Sequence, residues 1–189
     1  MPSSLKPFFY ASGVAIIGAS ANSRKLSYGI LKNLVNSIYQ GGIYPVNPGS
    51  ESILGKPCYV DISAVPDPVE LAVIVLPASA TPEALEACGK RGIKAVVIIS
   101  GGFKETGDAG SSLEKRCLEI AARFGMRLIG PNCVGLVNLH NGLNTTFISG
   151  LPDVGGIGFL SQSGAVLGGV VDLVKGKKVG FSNFISLGN

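Results

Sequence analysis

The 189-residue chain is short of charge: 15% of its residues are Asp, Glu, Lys or Arg, against roughly 25% in an ordinary soluble domain. With 46% apolar residues it has enough material to offset chain entropy, so disorder is excluded. Histidine is nearly absent, with one residue, and the four cysteines (Cys58, Cys88, Cys117 and Cys133) form no C-x-x-C pair, which removes the usual zinc sites. No apolar run approaches the ~20 residues of a membrane span. Basic residues outnumber acidic ones by 16 to 12 but form no long run, the densest being Lys175-Gly-Lys177-Lys178. That is too sparse for a nucleic-acid stripe and suits a phosphorylated small ligand. The start of the chain loosely mimics a signal peptide, with Lys6, Phe8 to Tyr10 and Ala19-Ser-Ala21. Ser12-Gly13 interrupts it and the sequence continues into a repeating pattern, so a cytoplasmic protein with reduced thiols is expected.

What is abundant is glycine, 27 residues with no G-X-Y period. These glycines sit at the ends of short β-branched runs, where turns and close backbone approach need them. Val14 to Ile17, Ile43 to Val46, Leu71 to Leu76, Ala95 to Ile99 and Arg127 to Ile129 read as strands. Between them lie helical patterns. Leu26, Ile30, Leu34 and Ile38 make one apolar face with Leu31 and Val35. Thr81-Pro82-Glu83 reads as an N-cap and first turn, closed at Gly92, and Ser111-x-x-Glu114 as a capping box for a helix ended by Gly125. Apolar strands alternating with helices predict an α/β fold, a parallel sheet with helices on both faces.

After an irregular stretch (138–152) the alternation restarts: strand Ile157 to Leu160, helix Ala165 to Val174, strand Val179 to Ile185. The expected division is a first domain over 1–150 and the beginning of a second over 151–189. Such a βαβ unit leaves a strand edge and an apolar face uncovered unless something packs on it, and the chain reads as truncated.

In open α/β sheets ligands bind beyond the carboxyl ends of the strands. The polar, glycine-rich segments gather there. Gly18-Ala19-Ser20-Ala21, followed by Arg24-Lys25, is a strand-to-helix turn able to face a phosphate. It is not the G-x-G-x-x-G fingerprint, and the next strand ends in Asn47-Pro48 rather than the acid that holds the ribose of NAD. The plain reading is a tight turn without a ligand. Ser161-Gln-Ser163-Gly164-Ala165 repeats the device, with simple N-capping as its alternative. Gly130-Pro-Asn132-Cys133 supplies an amide and a thiol, although a semi-buried cysteine is usually inert. His140 lies in the irregular stretch with no acid at suggestive spacing and reads as a surface histidine.

Seven segments in order carry a resemblance: Ile17-Gly-Ala-Ser20, Tyr44-Pro-Val-Asn-Pro48, Leu71 to Pro77, Ile99-Ser-Gly-Gly-Phe-Lys-Glu105, Ile129-Gly-Pro-Asn-Cys133, Leu160-Ser-Gln-Ser-Gly-Ala165 and Ser186-Leu-Gly-Asn189. Together they resemble the NDP-forming acyl-CoA synthetases, which include succinyl-CoA synthetase α chains and ADP-forming acetyl-CoA synthetases. The resemblance implies a CoA-binding Rossmann-like domain followed by the start of a flavodoxin-like one. It implies CoA contacts at Gly18, Ala19, Ser20, Ala21, Lys25, Asn47, Ser50, Pro77, Ile99, Ser100, Gly101, Asn132 and Cys133, the last near the CoA thiol. Ser50 stands where relatives carry a lysine. It implies that Ser161, Ser163, Gly164 and Ala165 steady the phosphate of a phosphohistidine. The implied reaction joins a carboxylic acid to CoA at the expense of a nucleoside triphosphate. Neither the phosphorylated histidine nor the nucleotide-grasp module that brings ATP/ADP and Mg is found in these residues. A grasp subunit and self-association are implied partners, and nucleic acid and membranes are not. A stand-alone or acetyltransferase-associated CoA module and an NAD(P)-binding Rossmann protein remain alternatives.

Overall fold

The computed structural model describes residues 3–189. A short helix α1 (Lys6–Tyr10) leads into β1 (Gly13–Ile17), α2 (Leu26–Val35) and β2 (Gly42–Val46). A two-residue-strand hairpin, β3 (Ser52–Ile53) and β4 (Lys56–Pro57), precedes β5 (Leu71–Ile74), α3 (Thr81–Lys90), β6 (Ala95–Ile98), α4 (Asp108–Phe124) and β7 (Arg127–Ile129). The strands β1, β2, β5, β6 and β7 form a parallel sheet in the order β2-β1-β5-β6-β7, as the apolar runs predict. Because alternate residues of a strand face opposite ways, β1 feeds two cores. Val14 and Ile16 pack with α1, α2 and Leu136 on one face, while Ala15 and Ile17 pack with α3 and α4 on the other. β1, β5 and β6 are buried at every residue.

The helices depart from the expected boundaries for local reasons. The apolar row of α2 is shorter than its spacing suggested: the helix ends at Val35, and the outer members Leu26 and Ile38 are 49% and 64% exposed. Thr81 is not an N-cap. A 3-10 turn over Ala78–Ala80 feeds straight into α3, so Thr81 is already helical and its hydroxyl donates back to the Pro77 carbonyl at 3.2 Å. Nor is Ser111 a cap, because another 3-10 turn (Lys104–Thr106) and Gly107 at φ 104° start α4 at Asp108. Glu114, freed from that box, receives the Lys104 amide at 3.3 Å instead. The C-terminal stop at Gly125 is as expected, a left-handed cap at φ 61°.

The irregular stretch holds regular structure. β8 (Leu136–Asn138) and β9 (Leu143–Asn144) form a hairpin that joins β10 (Val154–Ser161) and β11 (Phe181–Ser186) in a second sheet, order β10-β11-β8-β9. β8, which lies before residue 150, pairs antiparallel with β11, and β9 pairs with β8. Helix α5 (Gly164–Val174) crosses between the parallel strands β10 and β11 and buries Leu167, Val171 and Val174 against Phe181 and Phe184. Among the described residues no helix is long and apolar enough to cross a membrane, and the four cysteines are free.

Candidate functional site

The first sheet changes direction once: from β1 the chain goes to β2 on one side, and the next long strand, β5, pairs on the other. A crevice opens beyond the carboxyl ends of strands at such a switch point. Here it is a cleft of about 640 Å³ lined by Ile17 to Ser20 at the end of β1, Asn47 just after β2 and Val75 to Pro77 just after β5. Helix α2 contributes Leu26 and Ser27 at its start, next to Arg24 and Lys25. Val60, Asp61 and Ile62 wall the outer side with Ala84 and Ala87 of α3.

Gly18 is dictated by geometry. It holds φ 87°, and a Cβ there would stand 2.7 Å from the Val75 carbonyl oxygen, so only glycine lets β1 turn beside β5. The amides do not all face the cleft, however. Gly18 and Ala19 both donate to the Val46 carbonyl, at 3.1 and 3.3 Å, so two of the groups expected to meet an anion are spent inside the fold. The donors move to the start of α2. Its N-cap, Lys25, makes no side-chain cap, and while the Tyr28 amide is taken by the Lys25 carbonyl at 3.1 Å, the Leu26 and Ser27 amides have no acceptor among the described residues and lie beside two cationic side chains. Asn47 is a clamp: its Nδ2 donates to the Ala19 carbonyl at 2.7 Å and its Oδ1 accepts the Gly49 amide at 2.8 Å, tying the β1 and β2 loops together. Asp61 accepts the Ser63 amide and hydroxyl and the Ala64 amide, and its carboxyl is held below the usual range by the Ser63 hydroxyl first and these amides next.

A second cavity of about 630 Å³ lies beside the first, beyond β6 and β7. It is lined by Ile99, Ser100, Gly101, Asn132, Cys133, Val134 and Phe147 and, from the second unit, Gln162 to Ala165. Ser163 caps α5 by accepting the Val166 amide at 3.2 Å. The Ser161 hydroxyl is taken up locally, accepting the Ser163 amide at 3.1 Å and donating to its carbonyl at 3.0 Å. Cys133 is buried and its thiol donates to the Ile98 carbonyl at 3.2 Å; burial pushes it up to about 12, so it stays protonated at neutral pH.

The sequence-derived residues thus fall into two groups. Gly18, Ala19, Ser20, Lys25, Asn47 and Pro77 line the first cleft, while Ile99, Ser100, Gly101, Asn132, Cys133, Ser163, Gly164 and Ala165 line the second. Ala21, Ser50 and Ser161 line neither. Leu26, Val60, Ala84, Ala87 and Phe147 escaped sequence reasoning, because apolar residues carry no motif and only folding brings them to a wall. His140 lines a concavity with Ser12 and Gly41, which precede β1 and β2, and so sits at the opposite edge of the sheet.

A family model described as CoA binding domain matches residues 12–138. The chain belongs to this CoA-binding domain family. A second model, the succinyl-CoA ligase like flavodoxin domain, matches 154–189. The chain is 47% identical over 183 residues to the α subunit of ADP-forming acetate–CoA ligase II of Pyrococcus furiosus, covering 96% of its own length and 39% of that protein. It is 45% identical over 185 residues to ADP-forming acetate–CoA ligase I of Archaeoglobus fulgidus, covering 98% and 27%. The dinucleotide forming acetyl-coenzyme A synthetase 1 of Ca. Korarchaeum cryptofilum, solved in complex with phosphate and ADP, superimposes with a TM-score of 0.93 at 36% identity, covering 97% of this chain and 39% of that one. The chain therefore spans between about a quarter and two-fifths of these relatives' length.

Proposed function

We propose that this chain binds coenzyme A as the CoA-binding portion of an ADP-forming acyl-CoA synthetase. The observation that carries the reading is the cleft at the switch point of the first sheet, with Arg24, Lys25 and the uncapped start of α2 on one side and an apolar wall on the other. The residues fit the ligand. Cations and free N–H groups suit the phosphates, and Val60, Ile62, Leu76, Ala84 and Ala87 suit the face of an adenine ring. Coenzyme A supplies the thiol that becomes a thioester, and this chain's part is to hold and aim it. In the same reading the Ser163-capped start of α5 faces a phosphoryl group, while ATP or ADP and Mg are handled by a nucleotide-grasp partner. A small carboxylic acid is the second substrate, and the protein works in the cytoplasm.

An NAD(P) site fits less well. The residue that follows β2 is Asn47, whose side chain is committed to Ala19 and Gly49, so no carboxylate is in place there for a ribose. Calorimetric titration with CoA, NAD and NADP tests the proposal. CoA is expected to bind at least ten-fold more tightly than either dinucleotide; NAD binding more tightly than CoA overturns it.

A further inference from the structure

The two cavities share one lining residue, Leu26. It is the first residue of α2, its side chain is apolar, and about half of it is exposed. Position and exposure do not suit a core role: the helix already anchors itself through Ile30, Leu31 and Leu34, all fully buried. The strand order also makes the cavities neighbours, since the first lies over β1 and β5 and the second over β6 and β7, with β5 and β6 adjacent. Their chemistry differs. The first is lined by Arg24, Lys25 and the Asp61 carboxylate, with the Leu26 and Ser27 amides at the start of α2; the second offers hydroxyl, amide and apolar groups, with no Lys, Arg, Asp or Glu in its lining.

We infer that Leu26 is the positioning residue over which the pantetheine arm of coenzyme A passes from the first cavity into the second. The inference rests on the CoA reading above and adds to it the route of the arm. A ligand charged at one end and a neutral, flexible chain at the other matches the charged and neutral halves of this trough. The leucine ridge between them gives the arm's methylene groups an apolar contact where the floor would otherwise be backbone and solvent. Leu26 then touches neither phosphate nor thiol; it sets where the thiol arrives.

The test is calorimetry on the whole chain with two ligands, intact CoA and its phosphorylated adenosine diphosphate half, which lacks the arm. Leu26→Ala is expected to weaken CoA about five-fold, the share of affinity that half of a leucine's burial supplies. It is expected to leave the nucleotide half unchanged, and Leu26→Met, which keeps the volume, is expected to restore CoA binding. Because the side chain is half-exposed, circular dichroism should report an unaltered fold for both variants. Equal weakening of both ligands overturns the inference, since Leu26 would then act at the phosphate end. Unchanged CoA binding in Leu26→Ala also overturns it, the arm leaving by another path. If the unsubstituted chain binds neither ligand, it is the CoA reading itself that fails, and the inference with it.

Discussion

The two sheets are built from the same βαβ grammar but differ in cover. In the first, β1, β5 and β6 are buried at every position, with α1 and α2 on one face and α3 and α4 on the other. In the second, β10 is an edge strand on which Val154, Ile157 and Leu160 are all about half exposed or more, and α5 shows Val166 and Leu173 to solvent. A strand edge with apolar side chains on view is a place that natural proteins cover. The contrast teaches that the first unit carries its own stability, whereas the second leans on what it touches.

The sharpest way to break this comparison is to cut the same side chain from each sheet. Ile74→Ala, in the middle of the buried sheet, is expected to cost about 3 kcal/mol. Ile157→Ala, 47% exposed on β10, is expected to cost about 1 kcal/mol or less. Urea unfolding followed by circular dichroism measures both, and equal losses would mean the second sheet is as well consolidated as the first.

A smaller effect concerns the place where the second unit is latched to the first. The Asn189 amide donates to the Pro131 carbonyl at 3.0 Å and the Gly130 amide to the Leu187 carbonyl at 3.0 Å. The Asn189 side chain donates to Glu105 Oε2 at 2.5 Å and Glu114 Oε2 at 3.2 Å, and accepts from Asn132 at 3.1 Å. Desolvation raises the Glu105 carboxyl, but hydrogen bonds from Asn189, Gly102 and Phe103 outweigh it and bring it down to about 2. A carboxyl whose folded value is depressed stabilises above its unfolded value near 4.5 and loses that contribution as pH falls toward 2. The urea midpoint is therefore expected to drop between pH 5 and pH 3, and Glu105→Gln is expected to flatten part of that slope. Because Glu105 is exposed, solvent screens the effect and the change should be modest. An unaltered slope would mean that the latch does not depend on the charge.

Much of this was legible in the sequence. Apolar, β-branched runs located every strand of the first sheet, most plainly β1, β5 and β6, which are buried on both faces and so read as continuous apolar segments. The turns that line the two cavities were legible too: Gly18, Asn47 and Ser100 follow strands of the first sheet, and Ser163 follows β10 of the second. What could not be read was set by contacts between distant residues. The β8–β9 hairpin has only three and two residues per strand, too few to show a period, and exists because β11 pairs with it. The division of the site in two, and the Val46 carbonyl that consumes the Gly18 and Ala19 amides, likewise depend on strand order rather than local pattern. Leu26 showed the limit most clearly: its spacing placed it on the helix's apolar face, and the fold leaves it half exposed in the lining of two cavities.

The most direct test of the account is a crystal structure of this chain soaked with coenzyme A. The account predicts the diphosphate at the first turn of α2, beside Arg24 and Lys25, with the thiol end beyond Leu26 and toward Cys133 and the start of α5. Clear density for the ligand elsewhere, or a cleft left empty at saturating concentration, would contradict it.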